Sequence, residues 1–327
     1  MMYDVYFYET FSEEKELLIS EVGCRIKAAC TPLTIAESGH RTPPAKIISI
    51  RTQSAVPPEW SSSIHAVLTR SVGYDHLAHF RKGNDDNIAL GYLPDYCAGA
   101  VAEQAILLML ALMRRLHRQT AQVRRFNRNG LTGDECAGKT LLVVGVGRIG
   151  KRVLDLVRGL GMQTLGVDID PRHPSVEYVS IPDGMKAADV IVCAMNLTRH
   201  NAAYFNQERF RELAKPAYFI NVGRGECSPP RDLLAALEER RLNGVALDVF
   251  PDEGRLAENW RKRTAAPSPE AAALLRLARR KDVILTPHNA FNTRESVKRK
   301  AEQSVAQIMH YVQYGRFIWE IPADDPA

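Results

Sequence analysis

From Thr140 onward, short apolar runs rich in β-branched residues alternate with longer stretches of helical periodicity. The runs Thr140–Val144, Thr164–Val167, Val190–Ala194, Tyr218–Val222, Val245–Val249 and Val283–Thr286 are almost unbroken in hydrophobicity. Strands covered on both faces read this way, as in a parallel sheet. Between them, Ile149, Val153, Leu156, Val157 and Leu160 make one helical stripe, and Leu233, Leu234 and Leu237 begin another. Strands alternating with helices predict a doubly wound α/β domain.

Ahead of this rhythm, Val101, Ala105, Leu108, Met109 and Leu112 fall on one face of a helix expected from about Ala100 to Leu116. The first ninety residues are less regular, with strand-like pieces at Val5–Tyr8, Ile47–Ile50, Ala66–Thr69 and Ile88–Leu90. They predict a second, smaller α/β domain. Glu295–Tyr314 reads as a final helix that returns to it. The division expected is 1–95 with 294–327 for the smaller domain and 96–293 for the larger. The segment Gly254–Arg280, with its Thr264-Ala-Ala-Pro-Ser-Pro run, interrupts the alternation and reads as a surface excursion.

At 327 residues, two domains are the natural expectation. A formal charge of +5 is small for that length. The most basic stretch, Arg114 to Arg128, reads as a solvated helix face rather than a nucleic-acid site. The longest apolar run, Ala105–Met113, is far shorter than the roughly 20 residues that span a bilayer. No secretory pattern is legible at Met1–Glu9. The six cysteines form no C-x-x-C pair, which argues against a zinc site and fits a reducing cytoplasm.

Gly145-Val-Gly147-Arg148-Ile149-Gly150 follows a strand and opens a helix. The first glycine permits the tight turn, the second the approach of a pyrophosphate, and the third close helix–strand packing. The phosphates then meet the unpaired N–H groups of the helix N-terminus. Asp168 ends the next strand, 18 residues past Gly150, about the spacing of an acid that holds ribose hydroxyls. A carboxylate there repels a 2′-phosphate, so NAD is favoured over NADP, with Arg172 and His173 as the nearby residues that would oppose this.

Ligands of open parallel sheets bind beyond the carboxyl ends of the strands. Asp168 lies past the second strand of the larger domain, Arg224 past the fourth, Glu253 past the fifth and His288 past the sixth. Singly, each also reads as an ordinary loop residue. Jointly they match what reduction of a keto acid needs. Arg224 can clamp a carboxylate with its planar fork, His288 can exchange a proton near neutral pH, and Glu253 can hold the imidazole in one tautomer.

These segments, Gly145–Gly150 with Asp168, Asn221-Val-Gly-Arg224-Gly, Asp248-Val-Phe-Pro-Asp-Glu253 and Thr286-Pro-His288, resemble the D-isomer-specific 2-hydroxyacid dehydrogenase family. Arg70-Ser-Val-Gly73-Tyr-Asp75 and Pro94-Asp-Tyr96 running into Ala100-Val-Ala-Glu103 match as well. The resemblance is strong over about 91–293 and patchy before that. It implies a Rossmann-type domain plus a flavodoxin-like substrate domain, with the active site in the cleft between them. It also implies Arg224, Glu253 and His288 as catalytic residues, and hydride exchange between NAD(H) and C2 of a small 2-keto or D-2-hydroxy acid. The N–H groups of Val72 and Gly73 would receive the substrate carboxylate. Val101 would pack near the nicotinamide, Asp248 would join the cofactor set, and Tyr96 and Phe291 would border the substrate side chain. The run His288-Asn-Ala-Phe291 is similar to the D-lactate dehydrogenase branch. A homodimer through the cofactor domain is implied, with no metal, membrane or nucleic acid.

The sequence departs from the family pattern at Gly254, where a proline is common, at Pro251, where an acid is frequent, and at Gly99, where a small polar residue is usual. These changes bear on the substrate more than on the chemistry. Two other readings stay open. A phosphite-type dehydrogenase shares the fold and the Arg–Glu–His set, whereas formate-type enzymes carry an amide at the Glu253 position. An NAD(H)-sensing, corepressor-like binding protein also shares the fold and would bind dinucleotide with little turnover.

Overall fold

The β-branched runs of the sequence pair in parallel, in two separate sheets. The computed structural model describes residues 3–77, 80–81, 88–264 and 268–322. The chain divides into two units, Met1–Cys97 with Asn292–Ala327, and Ala98–Phe291.

In the first unit, β1 (Tyr3–Phe7), β2 (Ala28–Cys30), β3 (Ala45–Ile50), β4 (Ala66–Thr69) and β5 (Ala89–Gly91) form one sheet in the order β2-β1-β3-β4-β5. The order reverses between β1 and β3, so two loops diverge from neighbouring strand ends there. The helix Ser12–Val22 and the closing helix Arg294–Tyr314 pack beside each other. Tyr8, Ile48, Ile50, Trp60 and Val67 centre the core. Emptying a site such as Trp60, 1% exposed, would cost about 3–5 kcal/mol.

In the second unit, β6 (Thr140–Val144), β7 (Gln163–Val167), β8 (Val190–Cys193), β9 (Ala217–Asn221), β10 (Leu242–Leu247) and β11 (Val283–Leu285) run in the order β11-β10-β9-β8-β6-β7. Every residue of β6, β8 and β9 is buried, which is why these runs carry no polar alternation. The order reverses between β6 and β8, the place where the glycine loop leaves the sheet.

The helix Ala98–Met113 buries the whole expected stripe, Val101, Ala105, Leu108, Met109 and Leu112. It stops short of Leu116, because Arg115 adopts a left-handed φ of +53° before a second short helix, Leu116–Gln122, with no buried residue. The helix Arg148–Arg158 buries Val153, Leu154 and Val157. Leu160, expected in that stripe, lies beyond the helix and is exposed.

The surface excursion expected over Gly254–Arg280 is corrected by the structure. Two helices, Glu253–Lys262 and Pro269–Ala278, occupy it, and Leu256, Ala273, Leu274 and Leu277 join the core around Leu233 and Leu237. Residues 265–267 of the run that suggested a loop lie outside the described residues. No helix among the described residues is long and apolar enough to cross a membrane.

Candidate active site

β6 delivers the chain to Gly145 with φ +94°, and a Cβ there would sit 2.7 Å from the Ala194 backbone. At Gly150 a Cβ would stand 2.0 Å from the Gly145 carbonyl oxygen. Both glycines are therefore required by close approach. Gly147 precedes the helix Arg148–Arg158 and has open space where a side chain would project, so the helix N-terminus can take an anionic diphosphate. Arg148 is exposed and Ile149 half-buried at that first turn.

Asp168 follows β7 and ties it to this loop. Its Oδ2 accepts the Val146 N–H at 2.6 Å and its Oδ1 the Asp170 N–H at 2.9 Å. Each carboxylate oxygen retains a lone pair for a ribose hydroxyl. Arg172 pairs with Asp170 in an exposed ion pair. Val101 lies on the helix Ala98–Met113, 5% exposed.

At the next strand ends the geometry tightens. The fully buried Asn221 ends β9, and its side chain shapes the turn behind it. Its Oδ1 accepts the Gly223 N–H at 2.9 Å, and its Nδ2 donates to the Arg224 carbonyl and to Ser228 Oγ, each at 2.8 Å. Arg224 emerges half-buried, with Nη1 donating to the Gly223 carbonyl at 3.0 Å. A Cβ on Gly225 would come within 2.0 Å of the Phe250 carbonyl carbon, so this turn rests directly on the loop after β10. There the Asp252 N–H donates to Glu226 Oε1 at 3.1 Å.

Glu253 is the first residue of its helix, where the macrodipole favours negative charge. His288 follows β11 with a left-handed φ of +49°. Its Nδ1 faces both carboxylate oxygens of Glu253, at 2.8 and 2.7 Å. An imidazole that donates from Nδ1 presents Nε2 as its other proton-exchanging atom. Arg224, Glu253 and His288 thus stand at the carboxyl ends of three adjacent strands, about 5 Å apart in spacing.

The loop bearing His288 hangs on Asp248, which is 1% exposed. Its carboxylate accepts from Thr286 Oγ1 at 2.5 Å and from the Asn289 and Ala290 N–H groups at 2.9 Å. Burial raises its pKa, and these donors together with the His288 charge pull against that rise. Asp248 is thereby engaged with the histidine loop, a part the sequence reading did not give it. The signal was present: a lone acid at the end of an otherwise apolar strand.

In the first unit, the loop after β4 carries Arg70 to Gly73. Ser71 Oγ donates to the Gly73 carbonyl at 2.7 Å. Val72 is half-buried and Gly73 buried. Tyr96, 5% exposed, follows β5; burial holds its pKa well above the ordinary tyrosine value, and Arg299 donates to its carbonyl at 2.9 Å. Phe291, 6% exposed, ends the second unit.

Residues 106–290 match the family model of the D-isomer specific 2-hydroxyacid dehydrogenase NAD-binding domain. The chain is 29% identical over 259 residues to D-lactate dehydrogenase of Streptococcus agalactiae, covering 77% of each chain. It is 29% identical over 258 residues to 2-hydroxyacid dehydrogenase A of Aspergillus oryzae, covering 77% of this chain and 73% of that one. Among solved structures, D-lactate dehydrogenase from Aquifex aeolicus complexed with NAD and lactic acid superposes with a TM-score of 0.84. It is 27% identical, and the match covers 96% of this chain and 99% of that one.

Proposed function

The chain belongs to the D-isomer specific 2-hydroxyacid dehydrogenase family, NAD-dependent oxidoreductases, and from that premise we propose that it reduces a small 2-keto acid to the D-2-hydroxy acid with Arg224, Glu253 and His288 as its catalytic set. The observation that carries this reading is the two-oxygen contact of Glu253 with His288 Nδ1, at the sheet edge that also bears Arg224 and the glycine loop.

The residues around Gly145–Gly150 and Asp168 suit NAD: an open helix N-terminus for the diphosphate and a carboxylate for the ribose. NADH, when bound, supplies the hydride for C2. Arg224 holds the substrate carboxylate and polarises the carbonyl with its fork of donors. His288 gives the proton from Nε2 to the carbonyl oxygen as it becomes an alkoxide, while Glu253 fixes the ring by accepting from Nδ1. The balance is keto acid, NADH and one proton going to hydroxy acid and NAD.

In this reading the amides of Val72 and Gly73 receive the substrate carboxylate, Tyr96 and Phe291 border its side chain, and Val101 packs near the nicotinamide. A homodimer through the Ala98–Phe291 unit fits the family resemblance and the exposure of Val123 and Phe126 in its basic segment. The test is NADH oxidation by the purified chain with pyruvate, glyoxylate, hydroxypyruvate, phenylpyruvate and branched-chain keto acids. Phosphite is tried in the NAD-reducing direction. Turnover of keto acids supports the reading; turnover of phosphite alone, or of nothing while NADH binds, overturns it.

A further inference from the structure

A cavity of about 710 Å³ lies at the amino edge of the second sheet. Tyr218 near the start of β9, Asn243 near the start of β10 and Asp282 just before β11 line it. Arg224 and His288 stand at the other ends of the same strands, each six residues further along the chain. Six extended residues span about 20 Å. The cavity is therefore distinct from the edge that carries the glycine loop, Arg224, Glu253 and His288. The left-handed turn at Arg115, φ +53°, redirects the chain into the helix Leu116–Gln122, and both Arg115 and Arg118 join the lining.

The charges around this space do not balance. Asp282 is taken by Arg280, whose Nε and Nη2 donate to its two carboxylate oxygens at 2.9 and 2.7 Å. Asp134 accepts the Tyr218 hydroxyl at 2.7 Å and lies 3.8 Å from Lys139. Arg115, Arg118 and Lys281 remain, and among the described residues none of the three is ion-paired. Arg115 spends one donor, Nη1, on the Gly130 carbonyl at 2.9 Å. The Nε of Arg118 is buried with no hydrogen-bond partner. An orphaned buried donor is costly, and an acceptor brought by a ligand would relieve it. Three unopposed cations on one cavity attract an anion.

Three cationic side chains suit a group with nearly two negative charges and three terminal oxygens better than a single carboxylate. The volume falls within the roughly 300–1,000 Å³ of small-molecule sites, more than a bare phosphate fills. The rest of the lining is mixed. Asp134 keeps lone pairs for hydroxyl groups, and Asn243, whose Nδ2 donates to the Pro216 carbonyl at 3.0 Å, can accept at Oδ1. Leu112 and Ile284 add apolar surface. We propose that this cavity binds a phosphate monoester on a small hydroxylated body, such as a sugar phosphate, with Arg115, Arg118 and Lys281 holding the phosphate.

The experiment is isothermal titration of the full chain at low salt, with NADH saturating so that the glycine loop is occupied. The probes are ribose 5-phosphate, inorganic phosphate, ribose and citrate. Ribose 5-phosphate should bind about tenfold or more tightly than each of the other three. Arg118→Gln should weaken that binding by about 10- to 100-fold, the range of a charge-assisted hydrogen bond. Lys281→Gln should weaken it by about two- to fivefold. Lys281 is exposed, so its variant keeps the test decisive should the Arg118 variant fold poorly. NADH affinity should match the parent's in both. Absence of ribose 5-phosphate binding, equal binding of citrate or bare phosphate, or an affinity indifferent to both substitutions overturns the proposal. So does a fall in molecular mass on Arg118→Gln, by light scattering, in a chain that binds no phosphate; the cavity would then be a contact between copies. Binding is read without turnover, so the dehydrogenase reading stands or falls separately.

Discussion

Replacing Asp248 with asparagine separates two accounts of that residue. Its carboxylate, 1% exposed, holds three donors on the 286–290 loop at 2.5, 2.9 and 2.9 Å. An amide in the least disruptive orientation keeps its oxygen toward Thr286 and Asn289 and turns an NH₂ group on the Ala290 N–H. One charge-assisted bond is lost, about 1.5–3 kcal/mol, and a buried donor is left without an acceptor. The two surviving bonds weaken to neutral ones, by about 1 kcal/mol each. Against this, a neutral amide is less costly to bury than the carboxylate, whose raised pKa records that cost. The balance is a loss of about 3 kcal/mol, or roughly 6–12 °C in melting temperature for a unit of this size. His288 sits on the tethered loop at φ +49°, a conformation worth about 1–3 kcal/mol of strain that the tether sustains. Loosening it by even 1 Å should lower kcat by about tenfold to a hundredfold. Thermal unfolding, steady-state turnover at saturating NADH and NADH titration by fluorescence together decide. An unchanged melting temperature with weakened NADH binding would refute the tether and make Asp248 a cofactor contact.

His288→Gln should reduce kcat/KM by about 10²–10⁴ while NADH still binds, as seen by fluorescence titration; equal loss of cofactor affinity would contradict the acid–base role. Asp168→Ala should lower the preference for NAD over NADP by about tenfold or more in kcat/KM, and an unchanged ratio would count against it. The Lys300 side chain is fully buried, and burial first, with the nearby Arg51 and Arg70 charges, brings its pKa from 10.5 in the unfolded chain down to about 7 in the folded one. Between these values the unfolded state binds the extra proton, so native stability rises with pH by roughly 1.4 kcal/mol per unit; below about 7 the contribution is flat. Lys300→Met should remove that rise from urea-unfolding curves taken across the window, and a slope identical to the parent's would refute the burial account.

The second sheet was legible because its strands are buried on both faces, so β-branched runs marked them to within a few residues. β2 was not: Ala28-Ala-Cys30 is three half-buried residues with no β-branched side chain. The helix Pro269–Ala278 was hidden behind proline and serine taken as loop signals. Ser268 is in fact its N-cap, accepting the Ala271 N–H, and Pro269 its first residue, a start signal that could have been read. The Glu253–His288 contact was anticipated from positions past strand ends, but the backbone that creates it was not. Positive φ at His288 and Asp252 has no glycine to announce it. Nor did any motif join Glu14 with Arg70, at 3.0 Å, and Lys300, at 2.8 Å, a meeting that depends on the closing helix returning to the first sheet. The hint was a lysine falling on the buried side of that helix, between Val297 and Ser304.

The contact beneath Gly225 bears on how such a protein can diverge. With no room for even one methyl group against Phe250 and Pro251, the arginine turn and the segment ending at Glu253 have no independent slack. Moving one displaces the other, and through Glu253 the histidine. Arginine, glutamate and histidine share a single mechanical tolerance, so selection cannot retune one without retesting all three. Substitutions that leave this joint intact are then confined to positions outside it.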